Sequence, residues 1–260
     1  MKIYLLCDME GTSGIWRVTQ TQPGQPEYQQ GRELLMADVN AAVAGAFDGG
    51  ATEVVACDTH GGGGHFLTEK MDPRARYETP GGGSPLPSLD ESFDGLILTG
   101  HHAMAGTLNA FLDHTMNSSA WFCFRINGQP VGEIGMETAH AGAFGVPLIM
   151  VTGDEAACRE AEAQFPGIVT VPVKRGLGRN RASCLHPEQA QALIRQGAAE
   201  AVRRAKQLKA WRLAAPIELE LTYYRSDYAD EVTNARADLV RVDARTVRKT
   251  VDSATRICYF

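Results

Sequence analysis

The chain has 260 residues, enough to bury one large or two modest hydrophobic cores with neither a metal nor a disulfide needed merely to fold. Lys plus Arg is 25 against 31 Asp plus Glu, a formal charge of −6, which argues against a duplex nucleic-acid partner because that partner calls for a basic face. The six cysteines, at 7, 57, 123, 158, 184 and 258, form no C-x-x-C pair and read as reduced, mostly buried thiols of a cytoplasmic protein.

The apolar stretch after Lys2 ends at Asp8 and is too short for a signal-peptide core, and no apolar run approaches the roughly 20 residues that span a bilayer. The expectation is a soluble chain with no membrane partner. Ile3-Tyr4-Leu5-Leu6 is short and bounded, as a buried parallel strand would be. Gly31 to Phe47 reads as an amphipathic helix stopped by Gly49-Gly50, followed by strands at Thr52 to Cys57 and Asp94 to Leu98. Trp121 to Ile126, the Asn127-Gly128 turn signal and Gln129-Pro130-Val131 together predict a hairpin.

Glu133 to Phe144 predicts a helix ending at Gly145, Val146 to Thr152 a buried strand, Glu155 to Gln164 a helix and Ile168 to Val173 another strand. A long helix runs from Pro187, suited to a first helical turn, to about Leu208. Trp211 to Pro216 reads as a linker, Ile217 to Thr222 as a strand, and the tail as mixed strand and helix. The fold class is α/β, a mixed, largely parallel sheet with flanking helices plus a smaller C-terminal α/β portion. The division expected is a metal-binding catalytic region over 1–210 and the smaller portion over 211–260.

Chemistry concentrates at strand ends. If the chain stays extended past Leu6, Asp8 and Glu10 project to one face about 6 to 7 Å apart. Paired anions there call for a proton or a cation. The second strand delivers Asp58 and His60, and the third, through Gly100, His101 and His102. Parallel strands place their carboxyl ends on one edge, where open α/β sheets carry their sites. Mixed carboxylate and imidazole donors point to zinc or a similar ion.

Other features favour plainer accounts. Gly61 to Gly64 lacks phosphate-loop spacing and reads as a flexible loop. Glu137-x-x-His140 has the spacing of a di-iron bundle motif but no partner motifs, which favours a solvated helix face. Ser118-Ser119 lies in no nucleophile elbow. His65, Asp58 and His101 stand either as groups that orient ligands or as surface residues.

Asp8-Met9-Glu10-Gly11, Asp58-Thr59-His60, Gly100-His101-His102-Ala103, Asp113-His114-Thr115-Met116 and Asn127-Gly128-Gln129-Pro130-Val131-Gly132-Glu133 resemble, in order and spacing, the zinc-dependent D-aminopeptidases encoded with bacterial dipeptide-transport genes. The resemblance extends to at least Pro187 and more loosely to the end. It implies two zinc ions held by Asp8, Glu10, His60, His102 and Glu133, with Asp8 as the bridge and His114 as a catalytic group beside the metals. It selects Glu133 over Glu137, a choice the spacing leaves open. It also implies short peptides as substrates and a decameric homo-oligomer with sites facing an internal chamber. The glycine-rich loops at 61–64 and 81–83 depart from the family pattern and are candidates to border the pocket. Two competing readings are a dinuclear hydrolase of another amide or of a phosphate ester, and a non-enzymatic peptide- or metal-binding module.

Overall fold

The first strand, β1 (Lys2–Cys7), is buried from Ile3 onward because apolar residues occupy both faces of its pleat. Ile3, Leu5 and Cys7 enter one apolar core and Tyr4 and Leu6 another on the opposite side of the sheet. In this computed structural model, which describes residues 1–81 and 84–260, β1 leads into α1 (Tyr28–Asp48), β2 (Glu53–Asp58), β3 (Arg76–Glu78) and β4 (Gly95–His101). Gly82 and Gly83 of the second glycine cluster lie outside the described residues. The hairpin β5 (Trp121–Ile126) and β6 (Gln129–Val131) precedes α2 (Glu133–Ala143), β7 (Leu148–Asp154), α3 (Glu155–Gln164), β8 (Val169–Gly178) and β9 (Arg181–Cys184). The chain closes with α4 (Pro187–Arg204), β10 (Ile217–Tyr223), α5 (Ser226–Ala235), β11 (Val240–Arg241), β12 (Thr246–Val251) and a 3-10 turn over Ala254–Tyr259.

Seven strands form the main sheet in the order β3-β2-β1-β4-β7-β8-β9, parallel except for β9. On one face α1 and α4 pack together, joining Leu35, Val39, Val43, Ile194 and Val202 to the core beneath β1. On the other, Ile134 of α2 and Ala157 of α3 meet Leu6, Leu98 and Val151. The second sheet is antiparallel, in the order β11-β12-β10-β5-β6. Its β10 alternates strictly, burying Ile217, Leu219, Leu221 and Tyr223 while Glu220 pairs outward with Arg125 and Arg248. This sheet takes β5 and β6 from before residue 210 and three strands from after it, because the hairpin pairs with β10 rather than with its chain neighbours.

The expected helices and long strands are present. Four elements escape the hydrophobic pattern: β3, β9 and β11 are edge strands with few apolar residues, and α5 buries Ala229 alone. Helix α2 differs most from expectation. It lies between the main sheet and the C-terminal turn, so every residue from Ile134 to Gly142 is buried. The Glu137 and His140 face is therefore not solvated, and both side chains are covered.

Candidate metal centre

After β1 the chain moves through α1 to β2 on one side and later crosses to β4 on the other, so β1 and β4 flank the crevice where strand order reverses. The backbone closes this crevice tightly. Asp8 N donates to Thr99 O at 2.9 Å and Gly11 N to Gly100 O at 2.7 Å. Gly100 has φ +73°, and a Cβ there would stand 2.2 Å from the Asp8 carbonyl oxygen. Only glycine suits both the conformation and the approach. The strand ends at Cys7 and the chain turns, so Asp8 and Glu10 converge through a turn rather than as alternate residues of an extended strand.

The turn aims both carboxylates at His60. His60 Nδ1 lies 2.9 Å from Asp8 Oδ1 and 3.0 Å from Glu10 Oε2. The other Asp8 oxygen faces a second group: Oδ2 is 3.3 Å from His102 Nε2, which is 3.4 Å from Glu133 Oε1. His114 Nε2 is 3.7 Å from that Glu133 oxygen, and its ring stacks on His102 with centroids 3.9 Å apart. The donors thus fall into two groups, Asp8, Glu10 and His60, and His102, His114 and Glu133, each with ligand atoms within 4.8 Å of one another. Glu133 reaches the site from the first turn of α2, as the hairpin before it dictates.

The donor set fits zinc. Ligand atoms about 2.0 to 2.1 Å from a tetrahedral ion stand about 3.3 Å apart, and the contacts between donors here run from 2.9 to 3.7 Å. Each histidine has one nitrogen tied to a carbonyl: His60 Nε2 to Thr21 O at 3.1 Å, His102 Nδ1 to Ala103 O at 3.0 Å and His114 Nδ1 to Leu112 O at 2.8 Å. A carbonyl only accepts, so these nitrogens carry the proton and the others present lone pairs or a second proton to the cluster. Asp8 Oδ2, Glu10 Oε2 and His102 Nε2 are buried and, despite close contacts with one another and with His60, make no well-directed hydrogen bond among the described residues. Such orphaned atoms in one small space are what a cation would satisfy.

The protons report the same competition. Burial opposes charge on His60, yet Glu10 and Asp8 raise its pKa to about 12. Burial likewise opposes the charge of His102, but Glu133 and Asp8 hold it well above the usual imidazole range. Burial would raise Glu133, but His102 draws it down to about 2. Metal binding displaces such imidazole protons.

Around the donors, Asp58 accepts from His65 N at 2.6 Å and pairs with His65 Nδ1 at 3.0 Å, and the His65 ring sits edge-on to His60 at 4.8 Å. His101 Nε2 pairs with Glu137 at 2.7 Å. These residues are buried neighbours of the donors, not surface groups. Gly61 and Gly62 line a cleft of about 330 Å³ with Asp8, His60, His114 and Glu133. Sequence reasoning passed over Lys174. Its Nζ donates to Glu10 O and Ile15 O, both at 2.6 Å, pinning the turn that carries Glu10. The signal in the sequence is a lysine following the apolar Val171-Pro172-Val173 of that strand.

A family model described as peptidase M55, D-aminopeptidase, matches residues 1–260. The chain belongs to the M55 D-aminopeptidase family. A D-aminopeptidase from Bacillus subtilis (strain 168) is 35% identical over 212 residues, covering 80% of this chain and 76% of that protein. The solved structure of the Zn-dependent D-aminopeptidase DppA from Bacillus subtilis, a self-compartmentalizing protease, superposes with a TM-score of 0.94 at 30% identity, covering 99% of this chain and 94% of the other. The M55 fold, a largely parallel sheet with flanking helices and a second antiparallel sheet, is therefore common to both chains.

Proposed function

We propose that this chain is a zinc-dependent aminopeptidase that releases N-terminal D-residues from short peptides. The observation that carries it is the divided aspartate: one Asp8 oxygen faces His60, the other His102, so a single carboxylate serves two donor groups. Asp8, Glu10, His60, His102 and Glu133 would hold two zinc ions, with Asp8 between them. Bound zinc supplies polarisation of the scissile carbonyl and a water acidic enough to attack near neutral pH.

The chain's own groups do the rest. Asp8 and Glu133 line the cleft and Glu10 the one beside it, an acidic surround that draws in the free ammonium of a peptide's first residue. His114 stacks on His102 with Nδ1–H donated to Leu112 O, which leaves Nε2 on the cleft wall. From there it can transfer a proton or donate to a developing oxyanion. The burial of Asp8, Glu10 and His102 keeps bulk water away from the donors and strengthens each of these interactions.

A homo-oligomer, a decamer by resemblance, working in the cytoplasm completes the reading; no helix of the described residues is long and apolar enough to cross a membrane. Metal analysis after dialysis is expected to give about two zinc ions per chain, and a dipeptide panel D-residue release in preference to L. Retained turnover with no bound metal refutes the metallopeptidase assignment, and phosphate release from a nitrophenyl ester without peptide cleavage points to the ester hydrolase instead. Light scattering is expected to give a mass several times the 28.1 kDa chain.

A further inference from the structure

A second cleft, of about 210 Å³, adjoins the metal centre and shares His60 and His114 with the first. Glu10, Thr21 and Gln22 form part of its wall, and Arg179 closes it. Arg179 is the one Lys or Arg among the described residues lining either cleft. It occupies the two-residue turn between β8 and β9, at the carboxyl end of β8, which brings it to the same sheet edge as the donors.

Its guanidinium is held in place. Nη1 donates to the Asp113 carbonyl and lies 3.0 Å from Asp113 Oδ1, while Asp113 Oδ2 accepts from Gly106 N at 2.7 Å. Leu112 N donates to Arg179 O at 2.8 Å, which fixes the backbone as well. Nε and Nη2 have no partner among the described residues, although the side chain keeps about 41% of its exposure. A planar fork anchored on one nitrogen with two donors open is prepared for a carboxylate. The anchor is Asp113, the residue before His114, and consecutive Cα atoms stand about 3.8 Å apart. Arg179 and His114 line the same cleft.

We propose that Arg179 binds the C-terminal carboxylate of the substrate and so makes the enzyme selective for very short peptides with a free carboxyl end. This rests on the aminopeptidase reading and extends it to the leaving side of the scissile bond. A longer or amidated peptide places a neutral group at Arg179 and loses the charge-assisted pair.

The test compares D-alanyl-glycine with D-alanyl-glycinamide on the zinc-loaded enzyme, measuring D-alanine release, and titrates both ligands calorimetrically. The wild type is expected to show a KM for the free acid about 10- to 100-fold below that for the amide, the range for one charge-assisted pair. R179Q should raise the free-acid KM to the amide value and leave the amide unchanged, and R179K should retain part of the preference. Equal losses on both substrates, with kcat falling and KM unmoved, would make Arg179 a positioning residue for the Asp113–His114 loop and overturn the proposal. If neither peptide is cleaved, the aminopeptidase reading fails, and calorimetry still decides: tighter binding of the free acid that vanishes in R179Q supports the carboxylate site, and equal binding in the wild type refutes it.

Discussion

The two halves of the candidate metal centre are built by different means. Asp8, Glu10 and His60 come from the first 60 residues, from adjacent parallel strands whose ends are cross-bonded by Thr59 N donating to Cys7 O at 3.1 Å. His102, His114 and Glu133 come from a turn after β4, a loop and the first turn of α2. All four non-glycine residues with positive φ among the described residues, Asn109, Leu112, Met116 and Asn127, lie between or beside these three. Strain of that kind persists only where surroundings over-determine it. Here Gly106 N and Met116 N are held by Asp113 and Glu133 at 2.7 Å each, and Ala105 N by Thr115 Oγ1 at 3.3 Å. One half inherits its geometry from the sheet; the other is assembled against it by side-chain clamps.

Asp8 is the point where the halves meet, so its substitution should have the largest effect. Asp8→Asn keeps the size, removes the charge and replaces one oxygen with a donor. Activity is expected to fall at least roughly a thousandfold, the several kcal/mol that a metal's Lewis acidity supplies. Metal content should fall for both ions at once. Near-normal zinc and turnover in Asp8→Asn would show that the halves do not share this residue.

Gly100→Ala tests the sheet-built half. Its Cβ would collide with the Asp8 carbonyl oxygen at 2.2 Å and with Thr12 Oγ1 at 2.7 Å, at a φ that L-residues disfavour. A loss of roughly 2 to 4 kcal/mol follows, with a fall in Tm on the order of 10 °C. An unchanged Tm by calorimetry would mean that the β1–β4 closure tolerates rearrangement.

The clamped half is sharpened by a three-way comparison. His60→Ala and His102→Ala should lose metal and activity together. His114→Ala should keep its metal while kcat falls by roughly a hundredfold, the range for a positioned acid-base or oxyanion group. His114 lies within ligand reach of the His102 and Glu133 pair, so zinc loss in His114→Ala would make it a ligand instead.

The same contrast explains what the sequence discloses. Strand ends after apolar runs are readable because burial on both faces leaves continuous hydrophobic stretches, so Asp8, Glu10, His60 and His102 stand out without any relative. Glu133 and His114 do not. Their approach depends on the β5–β6 hairpin pairing with β10 and on the loop around 104–117, long-range matters that leave no local period. The expectation of a solvated face for Glu137 and His140 fails for a related reason. A helix packed on one side has a polar stripe facing water, but α2 is enclosed, so polar residues on that stripe are buried too. Edge strands β3, β9 and β11 carry too few apolar residues to register.

Burial of α2 leads to the smallest predicted effect, and it separates the helix that carries Glu133 from the sheet-built half by pH. His140 is about 2% exposed, its Nδ1 has no partner among the described residues, and burial alone pushes its pKa down to about 4. In the unfolded chain an imidazole titrates near 6.5. The folded protein therefore binds fewer protons than the unfolded one between these values, and stability rises with pH across the window. The contribution is complete above about pH 6.5 and is lost as pH falls toward 4, on the order of 3 kcal/mol in all. His140→Leu removes the titrating group while keeping an apolar side chain of similar reach. Its Tm should fall less than that of the wild type between pH 7 and pH 5 when both are measured at the same zinc concentration, so that proton-driven metal loss enters both curves alike. Parallel Tm curves for the two proteins would show that His140 is hydrated or paired and that α2 is less enclosed than its burial indicates.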